Sequence, residues 1–162
     1  MKSPHRITVL LLAACALSAC ASVSLQNTAE KTRERGADTD ADCPDVTKLQ
    51  AAHLYGSWNV ELVQAGLHGT LTLRQHPEFS ASLRGELRIG KQRSIASGDV
   101  ENGEFNLDES RDGKTLYAFW NGKLVPSACG AEIRGQWQPV PQEGQSAPPA
   151  SDFVLRRDGA AG

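Results

Sequence analysis

Asp99-Val100-Glu101-Asn102-Gly103-Glu104-Phe105-Asn106-Leu107-Asp108-Glu109 is the stretch whose reading decides the fold. Asn-Gly is the dipeptide preferred by two-residue type I′ hairpins, because both central positions need positive φ. With Asn102 and Gly103 as the loop, Val100 faces Phe105 and Gly98 faces Leu107. A second dipeptide of the same kind, Asp112-Gly113, read as a two-residue loop, sets Leu107 opposite Ala118, Phe105 opposite Trp120 and Glu109 opposite Leu116. Both turns put one apolar face on three consecutive strands, and agreement between independent local signals is strong evidence for a register.

Working outward, the same period of two recurs. Trp58, Val60 and Leu62 alternate with Asn59 and Glu61, and Leu71 and Leu73 continue the pattern. The segment 79–89 alternates over its whole length, with Phe79, Ala81, Leu83, Leu87 and Ile89 on one side and Gly85 midway on that face, where a bend or bulge is expected. Asn121-Gly122 offers a third turn, but a two-residue loop there would pair Trp120 with Lys123, so a bulged or longer connection is expected. Ile133, Gly135 and Trp137, then Phe153 and Leu155, supply the last strands, and the proline-rich 139–150 between them reads as a surface loop. Upstream, Asp45 or Thr47 caps a brief helix over 48–54 that ends at Gly56. The expected fold is therefore all-β, an antiparallel up-and-down β-barrel of about eight strands with a short helix before the first. Closure removes exposed strand edges and leaves an interior that side chains or one small ligand can fill.

The N-terminus is of another kind. Lys2 and Arg6 precede the apolar run 7–12, and small residues lead to Leu17-Ser18-Ala19-Cys20. This charged, apolar, small-residue order is that of an export signal, too short to span a bilayer as a helix. Leu17-Ser18-Ala19-Cys20 resembles the lipobox of bacterial lipoproteins. The resemblance implies cleavage after Ala19, lipidation of Cys20, and residence on the membrane, since two or three acyl chains make release negligible. Leu12-Ala13-Ala14-Cys15 fits the same pattern with a shorter apolar core, so Cys15 is the alternative to Cys20. Ala21, where an inner-membrane retention signal would place Asp, implies the outer membrane of the cell envelope.

The expected organisation is a signal peptide over 1–19, a lipidated tether over 20–42, a barrel domain over 43–158 and a tail over 159–162. The tether is polar and cannot bury enough surface to order itself. Losing Lys2 and Arg6 leaves 17 − 2 = 15 basic against 19 acidic residues, a formal charge of −4, with no basic block to suggest nucleic acid. Two cysteines remain beside the lipidated one, Cys43 and Cys129, and in an oxidising compartment two such residues usually pair.

Leu54-Tyr55-Gly56-Ser57-Trp58 resembles the Gly-x-Trp opening of lipocalins, avidins and the bacterial alkaline-protease inhibitors, and the segment 130–137 is similar to a late avidin strand. Together they resemble the calycin superfamily of small barrels, which implies the fold across 54–155.

Chemistry is thin. His53, His68 and His76 lack metal-ligand spacing, no Gly-x-Ser-x-Gly elbow occurs, and neither metal nor cofactor is expected. Glu109 points inward by register, yet its place near the Asp112 turn suggests that it is solvated. Trp58, Phe105, Trp120 and Trp137 are the candidate pocket walls, against the plainer reading that the tryptophans fill the core. The expected function is that of a non-catalytic, membrane-anchored envelope lipoprotein whose barrel is a binding or structural module for a protein or envelope partner. One alternative is a carrier of a small apolar ligand. The other is a protease inhibitor, in which the segment before Tyr55 would enter an enzyme's cleft.

Overall fold

The computed structural model describes residues 43–159. The expected signal peptide, Cys15, Cys20 and the tether, as well as residues 160–162, lie outside the described residues. Eight strands follow one another: β1 (Gly56–Leu62), β2 (Leu67–Gln75), β3 (Leu83–Ile89), β4 (Gln92–Glu101), β5 (Glu104–Ser110), β6 (Leu116–Leu124), β7 (Glu132–Pro139) and β8 (Ser151–Arg157). Each is antiparallel to the next, and β8 pairs with β1 to close the barrel. This is the all-β, up-and-down architecture that the alternation and the calycin resemblance imply.

The Asn102-Gly103 turn stands as read. Both residues have positive φ, 52° and 79°, and Val100 pairs with Phe105 and Gly98 with Leu107. The Asp112-Gly113 turn does not. Only Gly113 has positive φ, and Leu107 pairs with Trp120, Glu109 with Ala118 and Phe105 with Gly122, two residues away from the expected register. The connection is longer because Asp112 Oδ1 accepts from the backbone N–H of both Lys114 and Thr115, a local side-chain bond that competes with a tight hairpin. A shift of two keeps the expected faces of Ala118 and Trp120, so these stay inward despite the error; next to the loop, where Ser110 pairs with Leu116, the alternation breaks.

Four further expectations are corrected. The strand expected from Phe79 begins at Leu83, and Phe79 sits in the β2–β3 loop, 60% exposed, its ring 5.0 Å from that of His76. Gly85 marks no bulge but a tight fit, since a Cβ there would meet Leu71 at 3.0 Å and Ala96 at 3.3 Å. The short helix is instead two 3-10 turns, Val46–Lys48 and Ala51–Leu54, the first capped by Asp45. Asn121-Gly122 is no turn: β6 runs through it, and the strand is followed by a 3-10 turn at Pro126–Ala128.

The interior is packed at one end and open at the other. Val46, Ala51 and Leu54 are buried under the end of the barrel where β1 begins, and Cys43 is disulfide-bonded to Cys129 in the β6–β7 connection. Arg157 closes the lid. Its guanidinium donates to the carbonyls of Tyr55 and His53 and lies 4.7 Å from the Trp58 ring, whose Nε1 donates to the Leu54 carbonyl. Above this plug, Trp58, Phe105, Trp120 and Phe153 are fully buried, the last two with rings 5.0 Å apart.

Candidate functional site

At the end opposite the plug, the β1–β2, β3–β4, β5–β6 and β7–β8 connections surround an open mouth. It holds a cavity of ≈ 350 Å³ lined by apolar groups, among them Leu62, Leu67, Ile89, Tyr117, Trp137 and Pro149. Of the four expected pocket residues, only Trp137 lines it. Trp58, Phe105 and Trp120 fill the barrel below, each with no exposed surface, so the cavity expected between them does not exist. Eight strands enclose too little space for three large aromatics and a ligand at the same level.

Glu109 forms the floor, and here the solvated expectation is overturned: it is only 4% exposed. Its Oε2 accepts from Trp120 Nε1 at 2.9 Å and from Trp137 Nε1 at 3.1 Å, and its Oε1 accepts from Ser94 Oγ at 2.6 Å. Among the described residues it is the one buried Asp, Glu, Lys or Arg, and it takes part in no ion pair there. A buried carboxylate needs such donors, because desolvation without them costs several kcal/mol. The two indoles therefore have a second task besides packing.

Tyr117 reaches the site through an irregularity in the ladder. Glu109 pairs with Ala118 but Ser110 with Leu116, so Tyr117 is an extra, bulged residue in β6. Strict alternation would send it outward with Phe119. Bulges re-aim side chains, and Tyr117 is buried with its ring 6.2 Å from that of Trp137. The Arg111 guanidinium stacks over the same ring, 3.5 Å from its centre, at the cavity's rim. Ser94, Arg111 and Tyr117 were not singled out in the sequence. The bulge brings in Tyr117 and the longer β5–β6 connection carries Arg111, whereas Ser94 stands beside Glu109 through the β4–β5 register.

The rim is fixed by hydrogen bonds. Gln64 Nε2 donates to Asp152 while its Oε1 accepts from Ser151 Oγ and the Asp152 N–H, tying the β1–β2 turn to β8. Gln142 Nε2 donates to the carbonyls of Leu116 and Val140, holding the proline-rich loop against β6. Four donors, led by the Thr115 N–H, hold the Asp112 carboxyl well below the usual carboxylate range. Among the described residues no group of three His, Cys, Asp or Glu is placed to hold a metal ion. Compared with protein-family models, curated proteins and solved structures, the chain matches none.

Proposed function

We propose that this chain is a non-catalytic, lipid-anchored protein of the bacterial envelope, on the outer membrane, whose calycin-like barrel binds a small apolar ligand at its open mouth. The observation that carries the reading is the apolar cavity of ≈ 350 Å³. That volume lies within the range of small-molecule sites, and a few convergent polar groups among apolar walls are their usual composition. The anchoring half rests on the lipobox-like Leu17-Ser18-Ala19-Cys20 and on a signal segment of export type. Val46, Ala51 and Leu54 are committed to the plug, which weighs against the reading in which this segment enters a protease's cleft.

Octanol titrated against the protein should change the fluorescence of the mouth tryptophan saturably. Leu67→Glu at the rim should weaken this binding at least tenfold, while Phe79→Ser at the far end leaves it unchanged. A flat titration refutes the ligand-binding reading. Mass spectrometry of the exported protein should find diacylglycerol on Cys20, and a free thiol there refutes the anchor.

A further inference from the structure

We infer that the ligand of this mouth is an apolar amine, received head-first by Glu109. The inference rests on the ligand-binding reading above and adds the chemistry of the head group. Each carboxylate oxygen offers two acceptor positions. Oε2 has both filled by the Trp120 and Trp137 indoles, whereas Oε1 accepts from Ser94 alone. One acceptor position is therefore left on a group that lines the cavity floor. The three donors already present are neutral, and no Lys or Arg among the described residues pairs with Glu109. A positive donor adds a charge-assisted bond in surroundings where such a bond is strong.

The rest of the site agrees in shape. Leu62, Leu67, Ile89 and Trp137 can clothe a hydrocarbon body behind the head. Arg111, the cation on this rim, is held over the Tyr117 ring rather than at the floor. It would meet the outer end of a ligand, and a carboxylate head would be drawn there and away from Glu109.

The test compares heads on one hydrocarbon tail. Octylamine, octanol and octanoate, with toluene as a probe without a head, are titrated by calorimetry against the full mature chain and against Glu109→Gln. In the variant the amide oxygen can accept from both indoles while the amide N–H₂ turns to Ser94 and the cavity, so the floor becomes a donor with its clamp intact. The expected result is that octylamine binds at least tenfold more tightly than octanoate, and that E109Q removes this advantage while toluene binds as before. Equal binding of the three heads to the native protein, with toluene and octanol still bound, overturns the amine inference and leaves the mouth a general apolar site. So does an amine preference that survives E109Q. Failure of every probe, toluene included, overturns both. Should E109Q fail to fold, the order of the three heads on the native chain decides.

Discussion

Glu109 shows how much one position can carry. Replacing it with Leu removes the acceptor for two buried indole N–H groups and one hydroxyl. Unsatisfied buried donors cost about 1–3 kcal/mol each, and the Ser94 hydroxyl can rotate to another acceptor, so the two indoles make E109L less stable by about 2–6 kcal/mol in urea denaturation, while E109Q stays within about 1 kcal/mol. Equal effects would mean that packing, not the hydrogen-bond clamp, holds the site. The alternation in β5 was enough to place Glu109 inward. It could not show Glu109 buried, because its partners come from β4, β6 and β7, and the β5–β6 register that sets Trp120 and Trp137 beside it follows from a loop wider than the dipeptide suggests. The aromatic residues divide in the same manner. Their inward direction was legible at Trp58, Phe105 and Trp120, but depth along the barrel, which separates core from cavity, is a property of the assembled sheet.

Among the elements, the turns were the most uneven to read. Asn102-Gly103 is flanked by residues that make no competing bond, so dipeptide preference decides it. Asp112-Gly113 is governed by the Asp112 side chain, which builds a wider loop. That loop should be sensitive to acid. A carboxyl whose folded-state pKa is depressed contributes stability above its unfolded value, about 3.9, and loses it as pH falls. Glu132, lowered chiefly by its hydrogen bond to Arg134, acts in the same direction. Stability should therefore drop on acidification below about pH 4, and D112N should flatten that limb. An unchanged acid limb in D112N would show that the loop bonds do not stabilise the fold.

The paired strands β6 and β7 approach through Gly122 and Gly135, where a Cβ on Gly135 would lie 2.0 Å from the Asn121 carbonyl oxygen. Gly135→Ala should cost at least about 1–3 kcal/mol, as overpacking does, read as a lowered urea midpoint. The plug makes a further prediction. Leu54 is fully buried, so Leu54→Ala should cost about 2–5 kcal/mol. Reduction of the Cys43–Cys129 bond, which joins residues 86 apart, should cost up to about 4 kcal/mol in the chain-entropy model. Peptide mapping without reductant should recover Cys43 linked to Cys129, and free thiols in exported protein would contradict the pairing.

Across the described residues, the barrel is polarised: a plugged end, where Cys43 is bonded to Cys129, and an open end with an apolar cavity over an acidic floor. The three tryptophans mark that axis. Trp58 donates its indole N–H to Leu54 at the plug, whereas Trp120 and Trp137 donate theirs to Glu109 beneath the mouth. Their indole N–H resonances can therefore be followed separately while octanol is titrated into ¹⁵N-labelled protein. The account predicts saturable shifts of the Trp137 and Trp120 signals with Trp58 unmoved. A Trp58 shift with Trp137 still, or three stationary signals at saturating octanol, would contradict it.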